Sequence, residues 1–156
     1  MNNKYIKGIQ NKVLKLLPKE KRQKKALLLE DCCSELSRLV ASWINEKDES
    51  ICQAILKGDK VRNTNKSHDI LASTKNGRVY LIDPTIWQHF PNENSILVGE
   101  YSSIDEAISA AANKYGGAWE KSENLKKISS KEKEELLRTI NDNIKESLDE
   151  SQGQDQ

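Results

Sequence analysis

With 156 residues, 36% of them hydrophobic and 31% charged, the chain has the length of one domain, a modest core and a very polar surface. The net charge of +1 hides an uneven spread: nine Lys/Arg against one Glu in residues 1–25, and four basic against eight acidic side chains in residues 129–156. Three cysteines, two of them adjacent, exclude a disulfide framework; two histidines without a C-x-x-C argue against a metal site; and no apolar run reaches the length of a membrane span or signal peptide.

Residues 4–17 read as an amphipathic helix, with Tyr5, Ile6, Ile9, Val13, Leu16 and Leu17 at helical spacing and Pro18 ending it. This basic end carries no series of aromatics interleaved with its lysines, so it reads as a solvated helix face and not as a nucleic-acid surface. A basic link follows over 19–25, then a short apolar run from Ala26 to Leu29. The next helix is expected from Asp31, a good N-cap residue, to Asn45. Cys33, Leu36, Val40 and Ile44 form one stripe on it, widened by Leu39 and Trp43. That places Cys32 or Cys33 in the first turn. Ile51 to Leu56 fits a short helix or a strand equally well, and Cys52 within it reads as a small buried residue. Residues 58–66 read as a loop.

A β-hairpin is expected next, with strands over 68–73 and 78–83. Asn76-Gly77 fits a two-residue type I′ turn, which needs positive φ at both central positions. Pro84 ends the second strand. A third strand is expected over 96–98. Ser103 and Glu106 form a capping box that opens a helix to about Lys114, and Gly116-Gly117 stops it. Ser129 and Glu132 form a second capping box. Leu137, Ile140, Ile144 and Leu148 then stripe an otherwise charged helix, and residues 151–156 are expected to be disordered.

The hairpin carries the chemistry. With a two-residue turn, Lys75 pairs with Arg78, Ile70 faces Asp83 and His68 faces Thr85. His68 and Asp83 are then diagonal neighbours on one face, roughly 7–8 Å apart at the backbone. Asp69 is a nearer carboxylate in sequence but points to the opposite face. An aspartate beside His68 would fix the imidazole tautomer and stabilise its cation. A cysteine at a helix N-terminus, facing the other ring nitrogen, would be favoured as thiolate by the helix dipole and by the imidazolium. Nucleophile, base and orienting carboxylate would then be in place. Two other readings fit the residues. In one, the charged terminal helices bind a partner and the hairpin is scaffold. In the other, the same triad serves an acyl-CoA-dependent acetyltransferase, although no phosphate-cradling glycine loop accompanies it.

The segments DCCSELSRLV, SHDILAS and GRVYLIDPTIWQHF together resemble the papain-fold toxin domains of bacterial polymorphic toxin systems, over roughly residues 30–100. They are also similar to bacterial effector enzymes that deamidate glutamine on host proteins. The resemblance implies an α+β fold with a papain-like (transglutaminase-like) core, in which a nucleophile-bearing helix packs on a small antiparallel sheet between N- and C-terminal helices. It implies Cys33 as nucleophile, His68 as general base and acid, and Asp83 as orienter. Cys33 is followed by the Ser34-Glu35-Leu36 pattern; Cys32 stays open as the alternative, because it too shares a stripe with Leu36, Leu39 and Trp43. Gln88 falls at a recurring glutamine and would support the site by orienting it or donating to an oxyanion, with a purely structural role equally open. No papain-type glutamine precedes the cysteine. Trp87 reads as a wall of the site or as core, and His89 as surface.

On this reading residues 1–25 form a basic helix and link, 26–128 a catalytic core, 129–150 a charged helix and 151–156 a tail. The expected activity is acyl transfer through a thioester on protein amides: glutamine deamidation, with peptidase or transamidase chemistry using the same parts. No cofactor and no metal are expected. The expected partners are a protein substrate and, by resemblance, an immunity protein, with neither membrane nor nucleic acid involved. The expected location is the cytoplasm of the producing or target cell, reached without a signal peptide.

Overall fold

The structure, a computed structural model, describes the backbone of residues 1–154 and the side chains of 1–150. It is α+β. The helices are α1 (Asn3–Leu14), α2 (Lys25–Leu28), α3 (Cys33–Lys47), α4 (Ile104–Tyr115) and α5 (Ser130–Gln154). The strands are β1 (Cys52–Asp59), β2 (His68–Lys75), β3 (Arg78–Ile82), β4 (Leu97–Tyr101) and β5 (Ala118–Leu125). They form one antiparallel sheet in the order β4-β3-β2-β1-β5. α5 takes in the start of the stretch expected as a disordered tail; residues 155–156 lie outside the described residues.

Both faces of the sheet are covered, so its central strands are apolar at successive positions and do not alternate. One face, with Ile55, Leu71, Tyr80 and Ile82, packs against Ile6, Ile9 and Val13 of α1, Leu36, Leu39, Val40 and Ile44 of α3, and Ile140 and Ile144 of α5. The other, with Leu56, Ile70, Ala72 and Leu81, packs against Ala107, Ala111 and Tyr115 of α4. This two-sided burial explains why the 51–56 run could not be assigned by periodicity: β1 is buried at Gln53 and at each position from Ala54 to Leu56.

The hairpin has the expected register, with Lys75 opposite Arg78 and Leu71 opposite Ile82. Asn76 (φ 51°) and Gly77 (φ 76°) both adopt the left-handed conformation that the tight turn demands. The serine half of each expected capping box forms, with Glu106 N–H donating to Ser103 Oγ and Glu132 N–H to Ser129 Oγ, whereas the glutamate carboxylates accept from Ser102 N–H and from Ser129 Oγ instead of from the capping residue's own N–H. The basic link over 19–25 is helical, a 3₁₀ turn over Lys19–Lys24 leading into α2.

Two local expectations are corrected, and one strand is added. Asp31 does not cap α3: its φ of 65° turns it away from the helix, and Cys32 takes the N-cap position, its carbonyl accepting from Leu36 N–H at 2.9 Å. Cys52 is exposed at the outer end of β1, and the buried neighbour is Gln53, whose amide oxygen accepts from Ser73 Oγ at 2.5 Å. Residues 118–125, for which the sequence suggested no element, form strand β5 on the edge of the sheet. Its side chains are mostly exposed, so it carries little hydrophobic pattern.

Candidate active site

One end of the sheet collects the ends of many elements: the close of β1, the start of β2, the residue after β3, the start of β5 and the last residue of α4. His68 is the first residue of β2 and is almost fully buried, at 1% exposure. Asp83 follows β3 and is held there by its own N–H donating to Ile96 O at 2.8 Å. The diagonal relation expected from the hairpin register becomes a direct bond: His68 Nε2 lies 2.8 Å from Asp83 Oδ2, with Asp83 fully buried.

Asp83 is saturated with donors. Oδ2 also accepts from the Tyr115 hydroxyl at 2.5 Å, and Oδ1 accepts from Thr85 N–H at 3.1 Å and from Thr85 Oγ1 at 3.4 Å. Gln88 stands one step further out, its amide donating to Thr85 Oγ1 at 2.6 Å. Gln88 therefore braces the residue that braces the carboxylate. Burial alone would raise the Asp83 pKa, but the charge and hydrogen bond of His68, helped by Tyr115 and the Thr85 N–H, hold it below the usual carboxylate value. Burial likewise works against a charged His68, yet the Asp83 carboxylate, with a further contribution from Cys33, lifts its pKa to about 10.

The two cysteines separate clearly. Cys32 is buried in the helical core, and desolvation pushes its thiol up to about 12, which favours the protonated form. Cys33, the first residue of α3, is half-buried beside His68, close enough for its thiol to act on the imidazole. The bond to Asp83 takes Nε2. Nδ1 has no hydrogen-bond partner among the described residues and is sealed from solvent. A buried ring nitrogen without a partner is costly in a purely structural histidine. α3 is anchored to the same strand by Ser37 Oγ, which donates to Asp69 O at 3.5 Å.

Three aromatic neighbours were not legible as site residues. His89, expected on the surface, is half-buried and packs edge-on against His68 with ring centroids 4.5 Å apart. The 3₁₀ turn at Ile86–Gln88 bends the chain back after Pro84 and brings it there. Burial and the neighbouring His68 charge lower its pKa to about 4, so at neutral pH it is an uncharged ring. Tyr115 packs 5.4 Å and Trp119 6.4 Å from the His68 ring. Trp119 sits directly across from Gly58 in the β1–β5 ladder, and a Cβ at Gly58 would fall 2.3 Å from the indole, so only glycine admits this packing. Helical spacing of Ala107, Ala111 and Tyr115 marks Tyr115 as inward-facing; nothing local marks its hydroxyl as a partner of Asp83. Trp87 belongs to the core, its indole N–H donating to Glu93 O at 2.9 Å.

Tyr115→Phe removes one charge-assisted hydrogen bond from a carboxylate that keeps its others. It should lower stability by about 1.5–3 kcal/mol, read as a shift in the urea midpoint; an unchanged midpoint would show that the hydroxyl does not hold Asp83.

Among the described residues no group of three or more His, Cys, Asp or Glu side chains is arranged to hold a metal ion, and no helix is long and apolar enough to cross a membrane. In comparisons with known proteins, no family model, no curated protein and no solved structure matches the chain.

Proposed function

We propose that the chain is a papain-like thiol enzyme with Cys33, His68 and Asp83 as its triad, acting on protein amides and foremost as a glutamine deamidase of the bacterial toxin or effector type. The observation that carries this reading is the buried His68, bonded to a fully buried carboxylate through Nε2 and unpartnered at Nδ1, beside the half-buried Cys33 at a helix N-terminus.

The chemistry follows from that arrangement. Asp83 accepts from Nε2–H and holds His68 as the imidazolium, so the proton of the Cys33 thiol is carried on Nδ1 and the sulfur attacks as the thiolate. The thiolate sulfur bonds to the amide carbon, and the displaced electron pair rests on the carbonyl oxygen, which the Cys33 backbone N–H at the start of α3 is suited to stabilise. As the C–N bond breaks, His68 returns its proton to the nitrogen and ammonia leaves, with a thioester on Cys33. Water then attacks, its proton passing to His68, and the C–S bond breaks to give the acid and the free thiol. The net change is amide plus water to acid plus ammonia. The same steps release an amine from a peptide bond, or make a new amide if an amine replaces water.

Mass spectrometry of cellular proteins exposed to wild type or to Cys33→Ala tests the reading. Glutamine-to-glutamate conversion made only by wild type is the expected result. New peptide termini would identify a peptidase instead, amine adducts a transamidase, and identical profiles for the two proteins would overturn the enzymatic reading.

A further inference from the structure

The segment joining β1 to β2 lies beside this site and has an unusual backbone. Lys60 (φ 55°), Arg62 (φ 56°) and Asn63 (φ 60°) all adopt the left-handed conformation, although none is glycine. Asparagine tolerates this region; lysine and arginine seldom occupy it. Such conformations persist only when the surroundings impose them, and they concentrate at functional sites. Here the imposition is visible. Val61 is fully buried in the α4-side core, its N–H donates to Lys66 O at 3.2 Å, and Thr64 Oγ1 donates to Val61 O at 2.7 Å.

The loop spans the site from one side to the other. At one end Lys66 pairs with Glu30 at 3.3 Å, three residues before Cys33. At the other, the Arg62 guanidinium lies 4.7 Å above the Phe90 ring, next in the chain to His89. Phe90 packs in turn on Tyr115, at 5.1 Å between centroids. Residues 60–66 contain three basic side chains and no acidic one. Lys66 is matched by Glu30, whereas Arg62 is exposed and forms no ion pair among the described residues. The positive charges of Arg62 and Lys66 add to the burial and the His68 charge that lower the His89 pKa. A guanidinium held over an aromatic ring through cation–π attraction still presents N–H donors, in the planar fork that matches a carboxylate.

We propose that Arg62 is a specificity-determining residue, which the strained loop holds at the rim of the site to bind a carboxylate on the substrate, so that the preferred protein segment carries Asp or Glu close to the amide that reacts at Cys33. This inference rests on the assignment of Cys33 as the reacting thiol.

Alkylation with an anionic and a neutral reagent of similar size tests it. Rates for iodoacetate and iodoacetamide are measured at Cys33 and, as an internal reference, at the exposed Cys52 of the same molecule. The iodoacetate-to-iodoacetamide ratio at Cys33, relative to that at Cys52, should exceed unity by about fivefold at low salt, the effect of one cation near a carboxylate in water. It should collapse in Arg62→Gln, survive largely in Arg62→Lys, and fade as salt screens the charge. A ratio equal to that at Cys52, or one unmoved by Arg62→Gln, would overturn the proposal. The iodoacetamide rate reports separately on the triad: Cys33 labelled no faster than Cys52 would count against the thiol-enzyme reading, while the ratio would still judge Arg62.

Discussion

Replacing His68 with alanine should lower glutamine-to-glutamate conversion by at least about a hundredfold, the usual worth of a positioned general base. It should also slow alkylation of Cys33 by iodoacetamide at neutral pH while leaving the exposed Cys52 unaffected. The expectation rests on position. Cys33 is the half-buried thiol beside the imidazole, and the Nδ1 of that imidazole has no other partner. Because His68 is buried, His68→Gln provides a control closer in volume; it should fold and show the same loss. If Cys33 labels as fast in both variants as in wild type, His68 does not activate it.

Removing Asp83 should have the largest effect on stability. Asp83→Ala leaves His68 Nε2, the Tyr115 hydroxyl and the Thr85 N–H without their acceptor in a sealed site, and breaking such a buried pair costs about 3–5 kcal/mol. That is a large part of the 5–15 kcal/mol by which a domain is usually stable. Asp83→Asn should cost less, about 1–3 kcal/mol, but no orientation of the amide suits the site. Oδ1 accepts from Thr85 and Oδ2 from Tyr115 and His68, so the NH₂ group always meets a donor.

The same pair sets a pH dependence. His68 has its pKa raised from 6.5 to about 10 in the folded protein, so its stabilisation is fully present below pH 6.5 and is lost as pH rises towards 10. Asp83 is lowered from 3.8, so its contribution is present above that pH and is lost as pH falls through the folded value. Urea midpoints of wild type should therefore hold a plateau between these limits and decline on the alkaline side. In Asp83→Asn, which removes the main cause of the His68 shift, the alkaline decline attributable to this pair should disappear. A wild-type midpoint that stays flat from pH 6.5 to 10 would show that the two groups do not share charge.

The sequence alone determined what depends on neighbours along the chain. The apolar stripe of α1, the serine caps at Ser103 and Ser129 and the Asn76-Gly77 turn are local patterns with local physical causes, and the structure has them. The meeting of His68 and Asp83 was legible for the same reason: a two-residue turn leaves a single register, and the register decides which side chains share a face. Tertiary structure decided the rest. Cys32 and Cys33 each fit a helical stripe, and only the packing of α3 against α1, α5 and the sheet sends the first into the core and leaves the second beside His68. Tyr115, Trp119 and His89 reach the imidazole from α4, β5 and the turn after Pro84. Hydrophobic periodicity tells which face of an element is buried but not which element covers it, so these neighbours become visible only when the sheet end is assembled.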